Sequence, residues 1–430
     1  MSPTYGEFSD YSQQGKGANM GFQSGLSGLN VAAKNLDIIG NNVANAGTVG
    51  YKGSRAIFAD VFANSLTGGG AGQIGIGAKV AKVQQQFNQG KISATNNPLD
   101  LAISGGGFFR LSNNGTISYS RNGQFNIDNS GYIVNSDGLQ VTGYPVDSAG
   151  NVIPSSPQPM RLSSADIAPN ATTEFEATIN LDSRASGIAL PFSASDPSTY
   201  TSSTSGTVYD SLGNPHMLTM YFVKTTTAGQ WALHGTLDGG PVGDVNLGAG
   251  AGNPATLSFN SSGTLTTTMP LNLSLALSNG AVTPLGIELD LSESTQFGAD
   301  FGVSALSQDG YAAGRMTGFN VGADGIIVGR YSNGEAMQLG QIVLANFANP
   351  GGLRPLGDNQ WEETSDSGLA LVGQPQTGSL GSLQSAAVED SNVDLTQELV
   401  NMITAQRAYQ ANAQTIKTMD QVLQTLVNLR

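Results

Sequence analysis

The sequence predicts an α+β chain, mostly β, with amphipathic helices at its two ends. Those helices form a coiled-coil-like inner domain, and between them lies a split β domain with a second β domain inserted. Three observations predict it. Apolar residues recur at steps of three and four only near the two termini. Between them, short runs rich in Val, Ile, Tyr and Phe alternate with turn clusters about ten residues apart. The 430 residues include 57 Gly and only 12% charged residues, so Ser, Thr, Asn, Gln and Gly must cover the surface, as in β-rich extracellular proteins.

Taken in order, residues 1–19 ("MSPTYGEFSDYSQQGKGAN") are polar and without periodicity, and read as a disordered leader. A helical stripe opens at Met20. Phe22, Leu26, Leu29, Ala33 and Leu36 step by four and three, and Val43 resumes the phase after Gly40. The stripe is narrow, the width of a coiled-coil seam. It ends in the Asn- and Gly-rich "GNNVANAGTVGYKGSR": residues 20–45, with Asn41 and Asn42, join 391–430 in a terminal helical domain, and residues 46–92 form a connector. Gly40, Gly47, Gly50 and Gly53 permit unusual backbone geometries there, and the Asn side chains can bond exposed backbone.

Residues 93–165 and 301–390 carry aromatic β motifs such as "GGGFFRL" and "QIVLANF" and read as two parts of one domain. Residues 166–300 turn Ser-, Thr- and Leu-rich, with Gly-Ala loops, and read as the inserted domain. The last helix, 391–430, opens on Ser391-x-x-Asp394, a capping signal, with no Gly or Pro after it. Leu395, Leu399, Met402, Tyr409, Ala413, Ile416, Leu423 and Val427 form one seam, broken by Gln406 and Asp420. Val400, Ile403, Met419, Val422, Leu426 and Leu429 widen the face. Faces of this kind are covered by each other or by further copies of the chain.

The formal net charge of −14, without basic clusters, argues against nucleic acid and anionic membranes as partners. No run of 18 apolar residues occurs, so no spanning helix is expected. The start lacks the basic and apolar regions of a secretory signal peptide. Cysteine is absent, which removes disulfides and thiol chemistry and suits a chain exported unfolded. Only His216 and His234 are available as bases or ligands, and without Cys or a spaced His pair no zinc site is expected.

Other chemical signals are weak. Gly70-x-Gly72-x-x-Gly75 follows no strand and opens no helix, unlike a dinucleotide fingerprint. Asp128–Gly131, Asn135–Gly138 and Asp147–Gly150 lack the ligand spacing of a calcium loop and read as turns. Glu362 and Glu363 are adjacent on a strand, so they point to opposite faces and cannot flank one glycosidic bond. No catalytic residue, cofactor or metal is expected.

"SGLSGLNVAAKNLDIIGNNVANAGTVGYKGSRAIFADVF" and "NVDLTQELVNMITAQRAYQANAQTIKTMDQVLQTLVNLR" closely resemble the shared terminal segments of bacterial flagellar axial proteins, the rod and hook family. "PLDLAISGGGFFRL", "YSRNGQFNID", "GTVYDSLGNPHMLTMYFVK" and "GQIVLANFANPGGL" resemble its hook members, and the inserted domain favours hook over rod. The resemblance spans residues 20–430 and is weakest at about 225–300; residues 1–19 have no counterpart in it.

The resemblance implies a non-enzymatic structural subunit of a hollow, flexible helical tube, with the terminal helices lining the inside. Implied partners are further copies, a distal rod protein, a hook–filament junction protein, a hook cap and the flagellar type III export apparatus. The expected location is the extracellular flagellum, reached without a cleaved signal peptide. The assembly interface is expected at Leu26, Leu29, Ala33, Leu36, Asn41, Asn42, Val43, Leu399, Met402, Tyr409, Ala413, Ile416, Leu423 and Val427. A distal-rod-like subunit is the nearest alternative, and a secreted β-rich adhesin is the alternative from another class.

Overall fold

A computed structural model of the chain describes residues 8–62, 75–147, 150–162, 166–241 and 245–428, with side chains outside that set at 8–21, 62, 76 and 426–428. Two helices, α1 (Phe8–Ala44) and α2 (Leu395–Asn428), bracket a long succession of strands, the mostly β arrangement that the sequence predicts. The chain forms two compact units. Residues 1–163, 319–328 and 338–430 make the first, and residues 164–318 and 329–337 the second. The helices belong to the same compact unit as the first β domain.

Two helix boundaries differ from expectation. α1 starts at Phe8, so most of the expected leader is helical, and residues 1–7 lie outside the described residues. Extending a nucleated helix closes one hydrogen bond per added residue. Gly15 and Gly17, at about 1 kcal/mol each relative to Ala, do not stop it. At the other end the cap is Asp394 itself, not Ser391. Asp394 Oδ1 accepts from Thr396 N at 2.8 Å and Gln397 N at 3.2 Å, satisfying two of the first-turn amides that have no partner within the helix.

α1 and α2 pack together within the chain. Their approach depends on small residues: a Cβ at Gly28 would lie 2.7 Å from Asn412 Oδ1, and one at Gly25 3.1 Å from Ile416 Cγ1. The buried line on α1 is Gly25, Ala32 and Ile39, spaced by sevens, and Ala405 is its buried counterpart on α2. Two of the three α1 residues are small, so the line carries little apolar signal in the sequence. After α1, the expected connector folds back as an antiparallel ribbon, β1 (Ser54–Phe62) with β2 (Gly75–Gln85), which packs on α1. Gly75 opens β2, whereas Gly70 and Gly72 lie outside the described residues.

The sheet of the first unit orders its strands Ala336–Ile342, Gln140–Tyr144, Phe108–Asn113, Thr116–Ser120, Gln360–Glu362 and Arg354–Gly357. Successive residues on a strand point to opposite faces, and here both faces are covered. Phe109 meets Phe125 at 5.1 Å in one core. Phe108 meets Phe87, Phe347 and Trp361 at 5.4, 5.8 and 5.8 Å in the other. The doubled Phe of "GGGFFRL" thus serves two cores.

The second unit is a sandwich. A four-stranded antiparallel sheet (Ser202–Tyr209, Pro215–Lys224, Gln230–Leu237, Ala255–Ser258) and a six-stranded mixed sheet share one core, in which Phe175, Ile179, Leu218, Phe222, Trp231 and Ile287 are buried. The expected boundary at residue 300 falls inside this unit. Strand Gly302–Gln308 pairs antiparallel with Glu174–Asp182, from the far end of the same segment, and that pairing holds both ends of the insertion in one sheet.

Candidate functional site

The Asn/Gly run after α1 is a folded junction. Asn45 N donates to Asn41 O at 3.1 Å, and Thr48 N donates to Asn45 O at 3.1 Å, winding the helix end into a turn. Of the four glycines expected to permit unusual geometry, only Gly50 has a positive φ, at 72°. A Cβ there would lie 2.5 Å from Asn122 N, and its own N–H donates to Glu389 O at 2.7 Å. The position therefore requires glycine twice over.

Asparagine side chains stitch the junction. Asn42 Nδ2 donates to Ser54 O at 2.8 Å and Asn42 Oδ1 accepts from Ser54 N at 2.9 Å, clamping the start of β1 to the last turn of α1. Tyr51 Oη donates to Asn41 Oδ1 at 2.7 Å. From just before α2, Asn392 Oδ1 accepts from Gly53 N at 2.8 Å while its Nδ2 donates to Gln86 O at 2.7 Å. The two chain ends are thereby held to one connector. Burial raises the Tyr51 pKa, so its hydroxyl stays a donor.

Lys52 turns inward beside them. Its Nζ donates to Glu389 Oε1 at 2.7 Å and to Asn88 O at 2.8 Å. Arg121 Nη1 donates to Glu389 Oε2 at 3.1 Å, Arg121 Nη2 to Gly105 O at 2.8 Å, and Gly90 N to Glu389 Oε1 at 2.8 Å. The side chains of Lys52 and Glu389 are 0% exposed. Burial lowers the pKa of both Lys52 and Arg121, and the Glu389 charge and hydrogen bonds oppose it. One carboxylate between two cations, with backbone groups taking part of the remaining hydrogen-bonding capacity, is the condition under which buried charge is tolerated.

The expected interface residues divide around this junction. Leu26, Asn41, Leu399 and Tyr409 are exposed, and Leu29, Ala33, Leu36, Val43, Met402, Ala413, Ile416 and Leu423 are partly buried. The side chain of Val427 lies outside the described residues. Asn42 is a correction: it is buried and spent on Ser54, so it is not presented to another copy. Lys52, Arg121 and Glu389 were missed, because their partners lie 337 and 268 residues apart in sequence. The one available signal was an isolated Tyr51-Lys52 in a Gly-rich stretch.

The remaining candidates take structural places. Asp128 Oδ1 accepts from Ser130 N at 2.8 Å and Tyr132 N at 2.7 Å, and Asn135 Oδ1 from Leu139 N at 2.8 Å, which are turn-stabilising bonds. Glu362 pairs with Arg354, while Glu363 accepts from Tyr119 Oη at 3.2 Å. Burial first, and the Glu363 charge second, push the Tyr119 pKa up to about 12.

Comparison with known proteins decides the family. The chain is 45% identical over 418 residues to the flagellar hook protein FlgE of Escherichia coli (strain K12), covering 96% of this chain and 100% of that protein. It belongs to the flagellar hook protein FlgE family. The hook protein FlgE of Salmonella typhimurium is 44% identical over the same shares, and that of Borreliella burgdorferi 33% identical over 95% of this chain and 98% of that protein.

Four family descriptions match in order along this FlgE-family chain: "Flagella basal body rod protein" at 22–52, "Flagellar hook protein FlgE/F/G D1 domain" at 102–208, "Flagellar basal body protein FlaE D2 domain" at 180–311 and "Flagellar basal body rod FlgEFG protein C-terminal" at 384–429. The buried triad takes Lys52 from the first, Arg121 from the second and Glu389 from the last. A crystal structure of the Helicobacter pylori hook protein FlgE2 shares the fold with a TM-score of 0.52 at 14% identity, covering 69% of this chain and 100% of that one. As a FlgE-family member the chain is a structural subunit of the flagellar hook, exposed outside the cell, and assembles with other flagellar components.

Proposed function

We propose that copies of this chain join through the uncovered faces of α1 and α2 into a hollow, flexible tube that couples a rod to a filament and passes torque while bending. One observation carries this reading. Leu26, Leu395, Leu399, Val400 and Ile403 are between 44% and 54% exposed although the two helices already pack on each other. Exposed apolar side chains along both helices mark an interaction surface, and their recurrence at helical steps suits further helices. The expected interface residues other than Asn42 belong to this proposal.

The stitched junction supports the torque-bearing half. Strain applied to the helices reaches the β sheet through buried charge-assisted bonds and clamped backbone, not through a loose linker. The role is non-enzymatic. The chain meets a distal rod protein at one end of the tube and a hook–filament junction protein at the other, with a hook cap during growth. It arrives through the flagellar type III export apparatus without a cleaved signal peptide.

Deleting residues 395–430 tests the reading by sedimentation and electron microscopy. The truncated chain is expected to lose polymerisation while its β units keep their far-ultraviolet dichroism. Polymers of normal appearance from that chain overturn the proposal.

A further inference from the structure

His216 sits within the sandwich of the second unit, between two carboxylates that the hook role does not use. Its Nδ1 lies 2.7 Å from Asp238 Oδ2 and its Nε2 3.2 Å from Asp210 Oδ2. A neutral imidazole has one N–H and satisfies one of these, whereas an imidazolium donates to both. The three residues come from different places: Asp210 from the 210–214 turn, His216 from the strand after it, and Asp238 from just past strand Gln230–Leu237.

Asn279 comes from the opposite sheet, in the loop between Leu271–Leu275 and Leu285–Asp290. Its Nδ2 donates to Asp210 Oδ2 at 2.5 Å and lies 3.4 Å from His216 Nε2. A second link follows the same route, since Val282 N donates to Ser211 Oγ at 2.9 Å. The backbone also holds the carboxylates as anions. Asp210 Oδ1 accepts from Leu212 N at 2.8 Å and Asn214 N at 2.9 Å, and Asp238 Oδ1 accepts from Met217 N at 2.7 Å.

We propose that His216 is a proton-operated clasp across one edge of the four-stranded sheet, and that its protonation state sets which of its groups bonds the Asn279 loop of the opposite sheet. With a proton on each ring nitrogen it grips Asp210 and Asp238 together. On losing the Nε2 proton to solvent it keeps Asp238 through Nδ1–H, and the Nε2 lone pair repels the Asp210 carboxylate and accepts from Asn279 instead. The 210–214 turn and the 277–283 loop then change partners. They carry Leu212 and Val282, which are 57% and 70% exposed, so an apolar tip of the sandwich answers to pH.

The groups facing the ring are Asp210, Asp238 and the uncharged Asn279. Burial alone lowers the His216 pKa, but the hydrogen bonds and charges of Asp238 and Asp210 outweigh it, and the net direction is upward. His234, by contrast, is lowered by burial with no carboxylate against it. Burial raises both aspartates, but hydrogen bonds from Asn214, Asn279 and His216 hold Asp210, and those from His216 and Met217 hold Asp238, below the usual carboxylate range.

Imidazole ¹⁵N resonances of the full chain, followed from about pH 5 to pH 9, test the clasp. His216 is expected to titrate above His234, with the Leu212, Asn214, Asn279 and Val282 amides moving at the same midpoint. Asp238→Asn is expected to lower that midpoint by about one unit or more, and His216→Gln to abolish the amide transition. A His216 midpoint at or below the ordinary imidazole value overturns the proposal. So do amides that stay flat while His216 titrates. If a variant fails to fold, the unsubstituted chain still decides between these outcomes.

Discussion

Removing the Glu389 carboxylate leaves the Lys52 and Arg121 cations buried with no anion between them. Glu389→Ala is expected to cost about 3–5 kcal/mol, the usual penalty for breaking a buried charge pair, as read by urea unfolding. Lys52→Met should cost less, because Arg121 still meets Glu389. A reversed order would mean that the carboxylate is not the hub. Asn41 and Asn42, adjacent in sequence, separate at this scale. Asn42→Ala strips both backbone partners from Ser54 and should cost about 1–3 kcal/mol, whereas Asn41→Ala removes two exposed side-chain bonds, from Tyr51 and Asn45, and should barely move the unfolding midpoint. For His216 the sign is fixed by its raised pKa. The stability it adds is fully present below the unfolded value near 6.5 and fades as pH rises through the folded value. The lowered Asp210 and Asp238 act at the other end of the window, losing their contribution as pH falls through their folded values.

Among the elements, α2 depends on one side chain for its start. Asp394→Ala should remove about 1 kcal/mol of cap, seen as faster amide exchange at Thr396 and Gln397 with the helix centre unchanged. The six-stranded sheet holds an opposite liability. Glu174 lies directly across a parallel pair from Glu288, and Glu176 across from Asp290. Like charges so placed repel, so Glu288→Gln should raise stability by a few tenths to about 1 kcal/mol, and less in high salt. Periodicity made the helices and the sandwich legible, because steps of three and four, and of two, record which face is buried. It missed the Gly25–Ala32–Ile39 line, since Gly25 and Ala32 are too small to mark a stripe and leave Ile39 alone on it. It also missed the β1–β2 ribbon as a fold, although the alternation in "IGAKVAKVQQQF" was plain. Pairing is a relation between segments, and nothing within β2 names its partner.

For the whole molecule, the sequence carries the two ends separately and is silent on how they meet. Lys52, Arg121 and Glu389 are each unremarkable in their own stretch, and only folding brings them within hydrogen-bond reach. That meeting gives the chain two kinds of terminal contact. The junction is closed within one copy, while the apolar faces of α1 and α2 remain partly uncovered. Amide hydrogen exchange on dilute monomer and on assembled polymer separates the two most directly. The account predicts slow exchange at the Gly50, Gly53, Ser54 and Gly90 amides in both states. It predicts that residues 22–40 and 398–425, packed on each other but with apolar faces partly uncovered, are only moderately protected in the monomer and gain strong protection on assembly. Helices as protected in the dilute monomer as in the polymer would contradict it, because their apolar faces would then need no second copy.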